Sequence, residues 1–122
     1  MKIETRTAHG QTVASVYSDT PVLTDLQSAL DLLMSVQYET GCNRICLNKE
    51  AVCDDFFVLS TQKAGEILQK FINYQAKLAI YGDYSGYTSK PLQDFIYESN
   101  RGSDVFFPAT EDQAVELLSS AR

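Results

Sequence analysis

Two hydroxyl residues, Ser60 and Thr61, stand where the apolar run FFVL, predicted as a strand, meets the amphipathic segment AGEILQKF, predicted as a helix. A hydroxyl at a helix start commonly caps it by accepting a hydrogen bond from a backbone N–H, which contributes about 1 kcal/mol. The same hydroxyls could instead contact a ligand or accept a phosphoryl group. The pattern favours the cap and leaves a binding or phosphoacceptor role open for both residues.

Lys63 is the unusual residue of this junction. If Ser60 is the cap, Lys63 occupies the N3 position of the helix, where its positive charge opposes the helix dipole. A bound anion would explain a lysine there, as would an acidic neighbour such as Asp54 or Asp55 or an ordinary solvated side chain. Lys63 is therefore a candidate for anion binding.

A second polar loop, GDYSGY, follows the apolar run KLAIY. Its Tyr84 and Tyr87 could line a partner surface, since tyrosine is enriched at interfaces, or they could anchor the loop by packing. Asp83 is most simply a turn or cap residue. Because ligands of open α/β sheets usually bind outside the carboxyl ends of the strands, we expect the two loops to form one binding surface if their strands are neighbours.

Residues that commonly catalyse reactions or hold metal ions do not form a recognisable set in this sequence. The cysteines Cys42, Cys46 and Cys53 have the spacing C-x3-C-x6-C, which matches no standard zinc pattern. The single histidine, His9, is far from them and is predicted to form a turn with Gly10. No Ser-His-Asp order and no Gly-rich nucleotide motif is present. The sequence therefore predicts no catalytic residue, no metal and no cofactor.

The acidic composition of the chain argues against two classes of partner. A net charge of −6 disfavours binding to nucleic acid or to an anionic membrane, because phosphate binding depends on Lys and Arg. The opening segment MKIETRTAHG lacks the apolar core of a signal peptide, and no run approaches the ~18 apolar residues that span a bilayer. We expect a soluble, cytoplasmic protein.

Hydrophobic periodicity predicts a single α/β domain over residues 1–122, with the element order ββαβαβαβα. Capping boxes predict helix starts at Thr24 and Thr110, and the tripeptide SKP predicts another. Gly41 lies just past the predicted end of the first helix, and Gly102 is predicted to be a left-handed cap. Strands that alternate with amphipathic helices predict a mainly parallel sheet with right-handed crossovers. The first strand is predicted to join this sheet through an antiparallel hairpin.

The stretch AGEILQKFINYQAKLAIYGDYSGYTSKPLQDFIYESNRG is similar to the bacterial domain-of-unknown-function family 4180, and the resemblance covers nearly the whole chain. A more distant resemblance is to the STAS domains of sulfate transporters and anti-sigma factor antagonists. It rests on the element order, a hairpin feeding four β-α turns, and on the tail KLAIYGDYSGYTSKPLQDFIYES, VFFP and TEDQAVELL. This second resemblance implies a STAS-like fold.

The STAS resemblance also implies a place for regulation. Anti-sigma factor antagonists are phosphorylated on a serine in an Asp-Ser-Ser/Thr-Gly motif, at the start of the second full helix. The matching positions here are Leu59, Ser60, Thr61 and Gln62, so both hydroxyls are present while the aspartate and the glycine are not.

These features predict a non-enzymatic protein-interaction or regulatory module with an unknown protein partner. The alternative is a protein that binds a small ligand or anion, or a weak enzyme, using the crevice at the carboxyl ends of the strands. In either case the predicted binding residues are Ser60, Thr61, Lys63, Asp83, Tyr84 and Tyr87.

Overall fold

The computed structural model describes residues 1 to 122 and contains five strands and four α-helices. The strands are β1 (Lys2–Ala8), β2 (Gln11–Tyr17), β3 (Arg44–Asn48), β4 (Lys77–Tyr81) and β5 (Val105–Phe106). The helices are α1 (Leu26–Thr40), α2 (Lys63–Asn73), α3 (Lys90–Arg101) and α4 (Glu111–Ser120). Three short 3-10 turns, Lys49–Ala51, Asp54–Phe57 and Leu59–Thr61, lie between β3 and α2. The predicted α/β class is confirmed.

All five strands form one sheet, whose spatial order follows the chain from β1 to β5. β1 and β2 are antiparallel, whereas β2, β3, β4 and β5 are parallel to one another. The predicted mainly parallel sheet with an antiparallel N-terminal strand is therefore confirmed. Because β3 lies between β2 and β4, the segments that follow these three strands leave the same edge of the sheet as neighbours.

His9 and Gly10 form the two-residue turn between β1 and β2. Their φ angles of 50° and 74° are both left-handed, as a type I′ turn requires. The predicted turn is confirmed. The Nε2 atom of His9 also lies 2.8 Å from Oε1 of Glu116, so the turn contacts the last helix.

Both faces of the sheet are covered, which explains why its central strands are almost continuously apolar. Side chains such as Leu47 and Ile80 enter the larger core, which lies between the sheet and the helices α1, α2 and α3. Alternate side chains, such as Cys46 and Ala79, enter a smaller core under α4, to which Leu118 contributes. Cys46 thus behaves as a small buried hydrophobic residue.

The start of α1 lies one residue later than the sequence predicts. Asp25, and not Thr24, is the N-cap, and its Oδ1 atom accepts a hydrogen bond of 2.8 Å from the backbone N–H of Ser28. The Ser28 hydroxyl in turn accepts from the N–H of Asp25, so Ser28 takes the place predicted for Gln27. Carboxylate and hydroxyl caps are of similar strength, and local spacing alone does not separate adjacent candidates.

The other predicted helix ends agree with the structure except at Gly102. Ser89 and Thr110 cap α3 and α4, and Gly41 ends α1 in the left-handed conformation with a φ angle of 71°. The sequence predicts a left-handed Gly102, but its φ of −86° and ψ of −160° are extended. The chain leaves α3 directly into the segment that pairs as β5, so no left-handed reversal is needed there.

The apolar run at positions 56–59 is predicted to be a strand, and this prediction is wrong. The run lies in the second and third 3-10 turns, with the side chains of Phe56 and Phe57 buried. Since β3, which directly precedes this segment, already has a paired strand on each side, the segment finds no free strand beside it with which to pair. No helix of the fold is long and apolar enough to span a membrane.

Candidate functional site

The segments that follow β2 and β3, together with the loop after β4, meet at the carboxyl edge of the sheet. A crevice of about 250 Å³ opens between them. The residues that line it, and that define what we call the Lys49 crevice, are Pro21, Lys49, Glu50, Val52, Cys53, Asp54, Phe57 and Tyr87. The crevice therefore lies where ligands usually bind to open α/β sheets.

Asn48, the last residue of β3, joins the strands at the base of this edge. Its Oδ1 atom accepts a hydrogen bond of 3.0 Å from the N–H of Ser18, and its Nδ2 atom donates to the carbonyl oxygen of Ser18 at 2.8 Å. Nδ2 also lies 3.2 Å from Oε1 of Glu50. Asn48 is only 1% exposed, so its side-chain amide replaces backbone pairing at the point where β2 and β3 separate.

An aromatic cluster lies beside the Lys49 crevice and contributes Phe57 and Tyr87 to its lining. The ring of Phe57 stacks on Tyr87 with a centroid distance of 5.3 Å, and Tyr84 stacks on Tyr87 at 6.0 Å. Phe107 packs edge-on against Tyr84 at 5.7 Å. Because aromatic pairs of this geometry add to the free energy of burial, the loop after β4 is held firmly against the turn that contains Phe57.

Tyr84 anchors this cluster to the sheet. Its hydroxyl donates a hydrogen bond of 2.6 Å to the carbonyl oxygen of Ile80. Burial raises the pKa of Tyr84 far above its usual value, and the nearby Tyr87 and Glu50 raise the pKa further. Tyr84 is thus a neutral packing residue, which is one of the two roles that the sequence left open.

Asp83 stabilises the turn at the start of the same loop. Its Oδ1 atom accepts hydrogen bonds from the hydroxyl of Ser85 at 2.6 Å and from the N–H of Ser85 at 2.9 Å. These bonds lower the pKa of Asp83, with a smaller contribution from the charge of Lys49. The turn role that the sequence suggested for Asp83 is the one that the geometry supports.

The ammonium group of Lys49 lies across the tyrosine rings. Its Nζ atom is 4.7 Å from the ring centroid of Tyr87 and 5.6 Å from that of Tyr84, within the range of cation–π attraction. None of the ion pairs in the structure includes Lys49. The crevice therefore presents a positive charge without a carboxylate partner beside an aromatic surface, an arrangement that can bind an anionic group flanked by apolar atoms.

Comparison with known proteins shows the family to which the chain belongs. Residues 8 to 118 match the family model described as Domain of unknown function (DUF4180). The chain belongs to the DUF4180 family. The matched range contains the whole Lys49 crevice. No curated protein and no solved structure gives a significant match to the chain.

In this DUF4180 chain neither Ser60 nor Thr61 occupies the N-cap position of α2, although the Thr61 hydroxyl accepts a hydrogen bond of 3.3 Å from the N–H of Lys63, the first residue of the helix. The N-cap of α2 is Gln62, in a left-handed conformation with a φ of 65°, and its side chain makes no capping hydrogen bond. The Thr61 hydroxyl lies 2.8 Å from the carbonyl oxygens of Asp55 and Val58 and so stabilises the preceding turns. Ser60 is exposed, and its hydroxyl makes no hydrogen bond with the rest of the protein. The reason is that the 3-10 turn, and not a strand, leads into the helix.

Lys63 is the first residue of α2 and does not occupy the N3 position. Its Nζ atom donates a hydrogen bond of 3.1 Å to the carbonyl oxygen of Thr24 and lies 3.9 Å from Oδ2 of Asp55. Of the explanations that the sequence offered, the acidic neighbour is the one that the structure supplies. Lys63 thus ties the start of α2 to the start of α1.

The six predicted binding residues fall into two groups. Ser60, Thr61 and Lys63 lie at the start of α2, whereas Asp83, Tyr84 and Tyr87 belong to the loop after β4. No hydrogen bond, ion pair or ring contact joins the two groups. The Lys49 crevice contains Tyr87 but not Ser60, Thr61 or Lys63.

Sequence reasoning missed Lys49 and Phe57, which line the crevice, and Asn48, which joins β2 to β3 beside it. The rule that directed attention to the loop after KLAIY applies equally to Lys49, which directly follows the strand RICLN. Phe57 was not recognised as a binding-site residue because its segment is predicted to be a strand, whereas it lies in a 3-10 turn. No three His, Cys, Asp or Glu side chains lie close enough together to hold a metal ion.

Proposed function

We propose that this DUF4180 chain is a non-enzymatic interaction module that acts on a protein partner through the Lys49 crevice. The observation that carries the proposal is the ammonium group of Lys49, which lies on the Tyr87 ring in an open crevice without an acidic partner. Tyrosine and a long cationic side chain are suited to a small, specific contact surface, because each offers apolar area together with one polar group.

The chemistry of the crevice indicates the kind of contact that the partner makes. An aspartate or glutamate of the partner would pair with Lys49, and an adjoining apolar side chain would pack against Tyr87. The carboxylates of Glu50 and Asp54 at the rim disfavour a second acidic group close by. The partner segment is therefore one with a single acidic residue next to an apolar one.

A second candidate function is the binding of a small organic anion in the same crevice, which the unpaired charge of Lys49 also favours. A volume of about 250 Å³ suits only a small molecule. Binding of a small anion would place its acidic group beside Lys49 and its apolar part on Tyr87.

One pair of assays distinguishes these functions. We expect the partner captured by the wild-type protein to bind about tenfold or more weakly to Lys49→Met and to Tyr87→Ala, since both changes remove a central contact. The matched control is Lys90→Met, which removes an exposed lysine that pairs with Asp94 on α3. In parallel, a thermal-shift screen with nucleotides, phosphates and small acids detects ligands that stabilise the native state.

The two assays give different outcomes for the two functions. A compound that raises the melting temperature of the wild type but not of Lys49→Met would establish the anion-binding function instead. If no compound stabilises the protein and the three variants retain the partner equally, the crevice is not the contact surface and both proposals fail.

We further propose that the domain is STAS-like, that it acts in the bacterial cytoplasm, and that Ser60 is a phosphoacceptor. What supports a STAS-like fold is the sheet whose strands follow the chain order, with three helices on one face. Three free cysteines suit a reducing compartment such as the cytoplasm.

Ser60 is favoured over Thr61 as the phosphoacceptor because the Ser60 hydroxyl is exposed and makes no hydrogen bond, whereas the Thr61 hydroxyl bonds to two carbonyl oxygens.

Phosphorylation of Ser60 is expected to appear as an increase in the intact mass of protein isolated from its native host. A phosphoryl group would add a charge of about −1.5 to −2 to the turn before α2, close in sequence to Lys63, and would change the electrostatics of the Lys63–Asp55 pair. Phosphatase treatment and the Ser60→Ala variant should each remove the extra mass, while Thr61→Ala should retain it. An unmodified mass under all growth conditions would exclude the switch without affecting the binding proposal.

A further inference from the structure

The free edge of the sheet at β1 is the feature that suggests a second interaction surface. All seven residues of β1 pair with β2, from Lys2 opposite Tyr17 to Ala8 opposite Gln11, and no strand lies on the other side of β1. The opposite edge, β5, has only two residues and is followed by Pro108 within two positions. β1 is therefore the one long edge at which another strand could add.

The turn at His9 and Gly10 determines which backbone groups of β1 are free. In a hairpin with a two-residue turn, the closing residues, here Ala8 and Gln11, form a hydrogen-bonded pair. Hydrogen-bonded and non-hydrogen-bonded pairs then alternate along an antiparallel ladder. The even-numbered residues of β1 thus bond to β2, and the N–H and C=O groups of Ile3, Thr5 and Thr7 point away from the sheet. No other hydrogen bond in the structure uses these groups.

The charged side chains of β1 alternate with these free residues and lie on the α4 face. Lys2, Glu4 and Arg6 succeed one another, and the Arg6 guanidinium is held 3.1 Å from Oε1 of Glu111 and 2.9 Å from Oδ1 of Asp112. The Arg6 side chain nevertheless remains 38% exposed. A strand added at this edge would therefore meet a defined order of charges, positive, negative and positive.

We propose that β1 pairs antiparallel with β1 of a second copy of this chain, with Thr5 facing Thr5 of the second copy on a twofold axis. In this register Ile3 faces Thr7 of the second copy, so the outward N–H and C=O groups of both strands find partners. Glu4 then lies opposite Arg6 of the second copy, and the twofold axis repeats this attraction. The two sheets join into one continuous sheet with the α4 helices on the same face.

The order of charges selects this register over its two neighbours. The shift that pairs Thr5 with Thr7 of the second copy places Arg6 opposite Arg6. A shift that pairs Ile3 with Thr5 of the second copy also satisfies the backbone groups, but it places Glu4 opposite Glu4 and Lys2 opposite Arg6. Like charges directly opposite each other destabilise a strand pair. The charges of β1 are therefore complementary to those of a second β1 strand when Thr5 faces Thr5, the register that places Glu4 opposite Arg6. The inference is independent of the function of the Lys49 crevice, because β1 contributes no residue to that crevice.

The first test measures the mass of the protein in solution by light scattering or sedimentation over a dilution series at low salt. The wild type should approach the mass of a dimer as its concentration rises. Glu4→Lys should raise the dissociation constant roughly tenfold, since two attractive cross-strand pairs become repulsive. Glu39→Lys changes the net charge equally but lies on α1, away from the edge, and should leave the dissociation constant unchanged.

A mixture of two variants tests the register itself. Arg6→Glu, like Glu4→Lys, should dimerise poorly alone, because Glu4 then faces the introduced carboxylate of an identical copy. When Glu4→Lys and Arg6→Glu are mixed, opposite charges face each other at both positions, so a mixed dimer should form about as tightly as the wild type. If the mixture remains monomeric while the wild type dimerises, the proposed register is wrong.

Thr5→Pro provides a test that does not depend on the stability of Arg6→Glu. Proline is tolerated at this edge because the Thr5 N–H points away from β2, yet it removes the central bond of the proposed pairing. The variant should fold as the wild type does, judged by circular dichroism, and remain monomeric. A wild type that is monomeric at every concentration, or a dimer that survives Thr5→Pro, would overturn the proposal.

Discussion

Replacing Asn48 with leucine is expected to lower the free energy of unfolding by about 2–5 kcal/mol. The substitution keeps a similar volume but leaves the N–H and C=O groups of Ser18 without partners in a buried place. Each unsatisfied buried group costs about 1–3 kcal/mol. Urea unfolding monitored by circular dichroism measures the effect, and the slope of the transition should remain unchanged because the same surface is exposed on unfolding.

The control for this prediction is Asn73→Leu, the same substitution at an exposed position near the end of α2. It should change the free energy of unfolding by no more than about 0.5 kcal/mol. Equal effects of the two substitutions would show that the Asn48 amide does not hold β2 and β3 together.

Asn48→Asp separates the two hydrogen bonds of the amide. The carboxylate can accept from the Ser18 N–H, but it cannot donate to the Ser18 carbonyl and lies near Glu50. Burial and this repulsion should raise the pKa of the new carboxyl group in the folded state. Since a raised folded-state pKa favours folding at low pH, the deficit of this variant relative to the wild type should shrink as the pH falls through that pKa. Asn48→Leu should show no such recovery.

Replacing Gly82 with alanine is expected to destabilise the protein by about 1–3 kcal/mol, which is the usual cost of overpacking. A β-carbon at this position would lie 2.7 Å from Cβ and 3.0 Å from Cδ of Lys49. Because the backbone fixes the Cβ atom of Lys49, a rotamer change cannot relieve this contact; the backbone at Lys49 or at position 82 must shift, which displaces the Lys49 side chain from its place on the Tyr87 ring. Two measurements follow: the urea midpoint should fall, and the upfield ring-current shift of the Lys49 side-chain protons in NMR spectra should disappear.

Gly86→Ala is the matched control, because Gly86 belongs to the same loop and has no atom within 4 Å of an added β-carbon. Its stability should stay within about 1 kcal/mol of the wild type and could rise, since alanine reduces the freedom of the unfolded chain. If Gly82→Ala is as stable as Gly86→Ala and the Lys49 protons keep their shifts, the close contact between Gly82 and Lys49 is not a constraint on the fold.

The secondary structure could largely be predicted because it depends on spacing along the chain. The apolar positions of α2 recur with helical periodicity at Ala64, Ile67, Leu68 and Phe71, and all four side chains are buried. Caps were predicted well where one candidate stood alone, as at Thr110, and less well at Thr24 and Asp25, where two adjacent residues could serve.

The run at positions 56–59 shows where local reasoning failed. Its residues favour a strand, but a strand needs a neighbour with free backbone groups, and β3 is already paired on both sides. This error also displaced the predicted cap of α2 and the predicted position of Lys63. The charge of Lys63 then suggested a bound anion, whereas the structure pairs it with the Thr24 carbonyl and with Asp55.

The sequence by itself determined the α/β class, the hairpin turn, most helix ends and the expectation that binding residues lie in the loops after the strands. These features follow from hydrophobic periodicity and from the conformational preferences of single residues, which act over a few positions. Only the tertiary structure decided that Lys49 lies over Tyr87, that Asn48 holds Ser18, and that Ser60 and Lys63 lie outside the crevice. Those contacts join residues far apart in the chain, and they arise because β3 pairs with both β2 and β4.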